Sequence, residues 1–430
     1  MVNAGILARI IHSNKELYMS ILDKLTQKEV WLEFLEHKKR SDFFSKADEK
    51  SLAEYIENEE YLPFCEKILS GKDFPLPSLT KINKKFSEKK RMVFVYDYKD
   101  KLVFKLLAYL LYKYDYLFED NLFSFRRKIN VRMALYSLLK QNKDNTMYSY
   151  KVDIHDYFNS CDTDTMMKVL RDNIKDDDRL IDFIETILRE PRAIFNGETV
   201  EVKKGIMAGV PISGFLANLY LRHLDKWFSD RNIPYARYSD DIIVFAESKE
   251  KIEEYEGVIK AQLSDMHLEV NERKEVRTVP NENWEFLGFL ISDDNIDISP
   301  VTLEKMKAKM KRKARALIRW YKRNKYNPTF AVRAYIKHFN RKFYCNTQDN
   351  ELTWALWYFP TITTPDSLHI IDEYSVSCMR FIATGKYTKA NYNLRYKRLK
   401  QLGHKSLVNS FYKFKEKSPD TVITTKDSIN

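Results

Sequence analysis

The chain has 430 residues, 44% of them hydrophobic and 31% charged, and its 73 Lys and Arg against 61 Asp and Glu leave a formal net charge of +12. That apolar content excludes a disordered chain and suffices for one large or two to three moderate cores, while the positive balance points to a polyanionic partner. Cys65, Cys161, Cys345 and Cys378 stand far apart with no CxxC pair, which favours buried or inert thiols in a reducing cytoplasm over zinc or disulfides.

The segment Ile6 to Ile11 is short and broken by Arg9, so it does not read as a secretory signal. No apolar run is long enough to span a membrane, and the expected location is cytoplasmic with no membrane partner. Trp31, Leu32, Phe34 and Leu35 recur at helical spacing amid charge, marking residues 1–60 as a helical extension. From Tyr61 to Asn145 the chain is mixed and basic, with the break Pro75-Leu76-Pro77 and the run Lys81-Ile82-Asn83-Lys84-Lys85. An apolar helix follows, with Leu102, Leu106, Leu107, Leu110 and Leu111 on one side.

Residues 147–153 read as a strand that turns Tyr148, Tyr150, Val152 and Ile154 to one face and Asp153 to the other. Thr163 is expected to cap a helix bearing Met166, Met167, Leu170 and Ile174. A strand at 199–202 leads into residues 205–218, where Ser213 is expected to cap a helix carrying Leu216, Leu219, Tyr220 and Leu224. Residues 234–238 and 242–246, both largely apolar, predict a hairpin whose turn presents Asp240 and Asp241. Ser248 opens a helix with Ile252, Tyr255, Ile259 and Leu263 in phase, and residues 286–291 read as one strand containing Gly288. Strand–helix–strand–strand–helix–strand predicts an α+β layout, an antiparallel sheet covered on one face by helices, with Asp153 and the Asp240–Asp241 pair on the open face.

Clustered carboxylates have a physical consequence. Two like charges about 4 Å apart repel by roughly 4 kcal/mol at an effective dielectric near 20, so one must be protonated or a cation brought in. Mg²⁺ takes one or two carboxylates plus water and substrate phosphates. Two such ions roughly 3.5–4 Å apart clamp the attacking and leaving oxygens of an in-line phosphoryl transfer. Asp-Asp alone is also ordinary turn chemistry. It is Asp153 together with Asp240 and Asp241, on one sheet of a basic chain, that predicts a magnesium site acting on nucleic acid.

Beyond Ser299 the character changes. Between Val301 and Cys345 the one acid is Glu304, over an apolar stripe of Leu303, Met306, Met310, Leu317 and Tyr321. Soluble helices usually mix signs, so this one-sided charge predicts phosphate contacts from Lys309, Arg312, Lys313, Arg319 and Arg323. Residues 346–418 are expected to be helical, aromatic first and then basic, and 419–430 to be a disordered tail.

Taken in order, the motifs resemble a reverse transcriptase of the prokaryotic kind, related to group II intron and retron enzymes, closely from Lys81 to Ile291 and more loosely beyond. Lys90-Arg91-Met92-Val93 is similar to the fingers segment, Phe123-Ser124-Phe125-Arg126 to the block after it, and residues 153–158 to the first metal motif. Residues 205–213, running on to Leu221, resemble the template and nucleotide motif. Tyr238-Ser239-Asp240-Asp241 stands where the family usually has Tyr-Ala-Asp-Asp, and Lys274 and Phe286-Leu287-Gly288-Phe289 are similar to the last two palm motifs.

The resemblance implies a right-hand polymerase with fingers and palm in 61–298 and a basic helical thumb in 299–345. It would copy an RNA template into nascent cDNA from dNTPs with two Mg²⁺ ions, or Mn²⁺ in their place, on Asp153, Asp240 and Asp241. By the same resemblance Arg91 grips the triphosphate, Phe158 excludes a 2′-hydroxyl, Lys274 protonates or neutralises the leaving pyrophosphate, and Gly209 lets backbone lie close to the nascent base pair. Without the motif Arg91, Phe158 and Lys274 would read as a surface charge, a core aromatic and a solvated lysine. Two departures stand out: Met207-Ala208-Gly209 replaces Pro-Gln-Gly, and Ser213-Gly214 replaces Ser-Pro.

Residues 396–408 with 205–209 look like the unknown-group, defence-associated enzymes, type 2 among them, which implies antiphage defence with a non-coding RNA as template. RNA-templated RNA synthesis, untemplated or protein-primed DNA synthesis, and a non-catalytic RNA-binding scaffold remain alternatives. Oligomeric state is not legible in the sequence.

Overall fold

A computed structural model of the protein describes residues 19–40, 44–83, 90–292, 295–344 and 354–417. The segment Ile6 to Ile11, Cys345 and the 419–430 tail lie outside the described residues. The chain divides into two compact units, the first of residues 1–134 and 148–277, the second of 135–147 and 278–430. Among the described residues no helix is long and apolar enough to cross a membrane.

In the first unit, helices α1 (Lys28–Lys39), α2 (Lys46–Glu57) and α3 (Leu62–Ser70) gather around Trp31. Its ring is fully buried, stacks on Tyr61 at 4.8 Å and meets Tyr55 edge-on at 5.5 Å, and its Nε1 donates to Leu25 O at 2.8 Å. Aromatic pairs of this kind add about 0.5–1.5 kcal/mol beyond their burial. The apolar helix expected around Leu102 is α4 (Tyr98–Leu110).

Two sheets follow. β1 (Ser78–Asn83) and β2 (Lys90–Val95) pair antiparallel, and with β4 (Arg192–Phe195) and β5 (Glu198–Glu201) they make a sheet of order β2-β1-β4-β5. The second sheet contains β3 (Tyr148–Asp153), β6 (Tyr235–Tyr238), β7 (Asp241–Ala246) and β8 (Val276–Thr278) in the order β6-β7-β3-β8. Tyr150 and Val152 are fully buried, as the alternation predicts. Helices α5 (Thr163–Asn173), α6 (Asp178–Arg189), α7 (Ser213–Tyr220), α8 (Arg222–Ser229) and α9 (Lys249–Asp265) belong to the same unit, with α9 packed on β3 and β7.

Three local expectations need correction. Asp162, not Thr163, caps α5, accepting from the Thr165 amide at 2.8 Å; a carboxylate at that position also meets the positive end of the helix dipole. Ser213 lies inside α7 and donates to Met207 O at 2.6 Å, tying down the preceding loop. Ser248 does cap α9. The third correction concerns residues 286–291, which are two strands and not one. β9 (Trp284–Phe286) and β10 (Phe289–Ile291) flank Leu287 and Gly288, both at positive φ (53° and 85°), the geometry a two-residue hairpin asks of its centre. The sixth element of the predicted layout is therefore β8.

In the second unit β9, β10 and β11 (Ile296–Ile298) form a three-stranded sheet of order β11-β10-β9. Helices α10 (Pro300–Arg323), α11 (Pro328–Tyr344), α12 (Asp366–Thr384) and α13 (Leu407–Lys417) follow, and α10 packs on both α11 and α12. The predicted stripe of α10, Leu303, Met306, Met310, Leu317 and Tyr321, is buried. Asp372 of α12 accepts from the Ser406 hydroxyl at 2.7 Å and from the Leu407 and Val408 amides at 3.0 and 3.2 Å. It thus caps α13 from another helix.

Candidate active site

Register brings the first two carboxylates together. β3 and β7 run antiparallel with Tyr148 opposite Ala246 and Asp153 opposite Asp241. Tyr238 pairs with Asp241, so Ser239 and Asp240 form the turn, and Asp240 O accepts the Ile154 amide at 3.0 Å. Ser239 sits at φ 61°, where glycine would be the unstrained choice. A non-glycine residue there costs of order 1–3 kcal/mol and persists only where its surroundings fix it.

Charge follows geometry. Burial first, then repulsion from Asp240 and Asp153, pushes the Asp241 carboxyl up to about 7, against the partial relief given by Lys151 and Lys274. Asp153 is buried, and its Oδ2 receives Lys274 Nζ at 2.8 Å. Asn271 also approaches that oxygen, Nδ2 to Oδ2 at 3.4 Å, and its amide donates to Asp153 O at 2.7 Å. These are hard oxygen donors that repel one another, the donor chemistry of Mg²⁺. Among the described residues no group of three or more His, Cys, Asp or Glu side chains could hold an ion unaided. Mg²⁺ completes its shell with water and substrate phosphates, so the carboxylates suit it as an open set of ligands.

What fixes the strained turn is a polar network that the sequence reading missed. Arg237 in β6 is fully buried. Its Nε donates to Asp225 Oδ1 at 2.7 Å and its Nη2 pairs with Asp225 Oδ2. Nη2 also reaches Asn218 O at 3.0 Å, and Nη1 reaches Ser239 O at 3.4 Å. Tyr235 Oη donates to Asp225 Oδ1 at 3.0 Å. Ser124 Oγ donates to Asn218 Oδ1 at 2.9 Å and accepts the Ser239 amide at 2.8 Å. Burial works against the guanidinium charge, and Asp225 more than offsets it, so the Arg237 pKa is raised. The available signal was a lone Arg in an otherwise apolar strand, which requires a buried partner.

The expected nucleotide residues come from different elements: Arg91 from β2, Phe158 from a short helix at Tyr157–Ser160, and Gly209 from the turn that precedes α7. Phe158 is half-buried and meets Phe125 edge-on at 6.2 Å. Gly209, at φ 104°, lies against β2: a Cβ there would stand 2.8 Å from Phe94 O, and the Phe94 amide donates to Ala208 O at 2.8 Å. The close backbone that requires this glycine is the chain's own strand. Gly205 is likewise closed against the Phe158 carbonyl. Arg91 pairs with Ile82 in the β1–β2 ladder, and its side chain lies outside the described residues. Arg126 spends its guanidinium on Asp115 and on the Glu119 and Leu122 carbonyls.

The Ser213-Gly214 departure now has a cause. A Cβ at Gly214 would stand 2.6 Å from Phe125 Cγ. Gly214→Ala should displace Phe125 from Phe158 and destabilise the protein by about 1–3 kcal/mol through overpacking. Urea unfolding checks this; a variant as stable as wild type would show that the Phe125 ring moves freely.

The basic residues expected on α10 divide into two groups. Arg312, Arg319 and Arg323 are exposed, while Lys309 and Lys313 are half-buried. Burial first, then Lys313, Lys342, Arg341 and Lys309, pulls His338 of α11 down to about 4. That imidazole is neutral at physiological pH.

Residues 82–291, just under half of the 430-residue chain, match the family model for reverse transcriptase (RNA-dependent DNA polymerase). No curated protein matches the chain. Among solved structures, apo telomerase from Candida tropicalis, truncated from its C-terminal domain, is similar at 14% identity and TM-score 0.41, over 52% of this chain and 55% of that one. Telomerase from Candida albicans with a fragment of telomeric RNA is similar at 12% identity and TM-score 0.40, over 83% of this chain and 70% of that one. The chain thus spans about half the length of the first. At so low a similarity neither bears on function.

Proposed function

Residues 82–291 carry a reverse transcriptase domain, that of an RNA-directed DNA polymerase, and from this premise we propose that the chain copies a partner non-coding RNA into cDNA by two-metal phosphoryl transfer. The observation that carries the reading is the β3–β7 register, which sets Asp153 opposite Asp241 with Asp240 in the adjoining turn.

Asp153, Asp240 and Asp241 are the residues that would hold Mg²⁺ or Mn²⁺. When bound, such ions supply charge neutralisation at the α-phosphate and a lowered pKa at the primer 3′-hydroxyl. Lys274, ion-paired to Asp153, holds that carboxylate in place and carries a proton within reach of the site. The Arg237 network keeps the turn rigid, so that little reorganisation is needed during reaction. Phe158 walls the sugar side of the nucleotide site and selects dNTP by exclusion. The exposed Arg312, Arg319 and Arg323 are phosphate contacts. The motif pattern of residues 396–408 and 205–209 further supports a defence-associated enzyme of prokaryotic origin, acting against phage in the cytoplasm.

Primer extension on an RNA template tests the reaction. DNA should be made from dNTPs, cease with chelator and return with Mg²⁺; synthesis that persists without divalent metal defeats the mechanism. Phe158→Ala should raise rNTP incorporation relative to dNTP by roughly 10–100-fold, the scale set by steric fit, and an unchanged ratio would leave the ring a core aromatic. Sequencing nucleic acid that co-purifies with the protein tests the partner: one discrete RNA with its complementary DNA is expected.

A further inference from the structure

The second unit carries a cavity of about 570 Å³ well away in sequence from the carboxylates. Ligand pockets commonly measure ~300–1,000 Å³. One face of α12 lines it with Glu373, Tyr374, Ser377 and Arg380, and Tyr387 and Tyr392 close it from the segment after that helix.

Three features give the cavity its chemistry. Tyr387 is 64% exposed and Tyr392 70% exposed, unusually open for rings that line one concavity. Phe381 stacks on one face of Tyr387 at 4.4 Å and 11°, holding the ring flat. Arg380 stands 5.0 Å from the Tyr392 centroid and donates Nε to Leu394 O at 3.2 Å, so its plane is fixed. Its two Nη groups donate no hydrogen bond among the described residues. Lys307, paired with Glu304 at 2.8 Å, adds a second cation to the wall, and Glu373 is an exposed acceptor there.

Flat, pre-held aromatic faces beside a fixed guanidinium suit an unstacked base and its phosphate. A carboxylate suits the N–H donors on a base edge. We propose that this cavity binds an unpaired nucleotide of a single strand: the base stacks on Tyr387 or Tyr392, and Arg380 grips the adjoining phosphate. The proposal deepens the polymerase reading, and rests on it for the source of that strand, by giving the second unit a means of holding single-stranded nucleic acid.

The test measures anisotropy of a short fluorescein-labelled RNA strand, a DNA strand of the same sequence and an RNA–DNA hybrid, each with the full-length protein. Tyr387→Ala/Tyr392→Ala should weaken single-strand binding about tenfold or more, Tyr387→Phe/Tyr392→Phe should not, and hybrid binding should stay within twofold. Arg380→Gln serves as a second probe should the alanine pair misfold. Loss on RNA alone, on DNA alone or on both supports the cavity and identifies the source of the strand. Single-strand affinity unchanged in the alanine pair and in Arg380→Gln, or an equal loss on the hybrid, overturns it. Primer extension by wild type is read in parallel. Failure there defeats the polymerase reading and leaves the cavity result standing, and success leaves that reading intact whatever the cavity does.

Discussion

Asp153→Asn and Asp240→Ala should each lower primer extension by about 10³-fold or more, a loss of several kcal/mol of transition-state stabilisation, while binding to RNA stays within twofold of wild type. The carboxylates are positioned for charge and not for packing. Asp241 already titrates near 7 because burial and its two acidic neighbours oppose a third charge. Removing one neighbour relieves that repulsion, so neither variant should unfold more easily than wild type in chelator. Stability traded for an assembled charge cluster is common at active sites. A variant that unfolds readily, or an Asp240→Ala protein that retains full activity, would remove the residue from the machinery.

Arg237→Leu should cost about 3–5 kcal/mol, the penalty for leaving Asp225 buried and unpaired. Urea unfolding reads it directly. The double variant Arg237→Leu/Asp225→Leu should recover most of that loss, since apolar replacement of a buried ion pair is often neutral or stabilising. Its primer extension should nevertheless remain at least tenfold low. The carbonyls of Ser239 and Asn218 have lost their donor, and the turn that carries Asp240 keeps its Ser124 contact but loses the arginine that supports its strained φ. A double variant that is both stable and fully active would make the pair a packing feature with no part in positioning the site.

The sequence by itself determined whatever depends on near neighbours. Period-2 alternation placed Asp153 on the face opposite Tyr150 and Val152, and two apolar runs around Ser239 predicted the β6–β7 hairpin. Helical spacing with Ser248 as cap predicted α9, and the one-sided stripe predicted α10. Such features follow from backbone periodicity and side-chain capping, which act over a few residues.

Other features needed the folded chain. Residues 286–291 are apolar enough to read as one strand, and only the pairing of Phe286 with Phe289 across Leu287 and Gly288 shows the turn; a Cβ at Gly288 would stand 2.9 Å from Tyr358 Oη. Gly209 is a glycine because β2 passes beside it, and Gly214 because Phe125 does. The pairing of Asp153 with Asp241, and of Arg237 with Asp225 and Ser239, joins residues whose spacing carries no local pattern. The carboxylates themselves were therefore legible in the sequence. Their register, their shared electrostatic burden and the buried arginine that steadies them belong to tertiary structure, because burial and long-range contact are set by what packs around a residue and not by what flanks it.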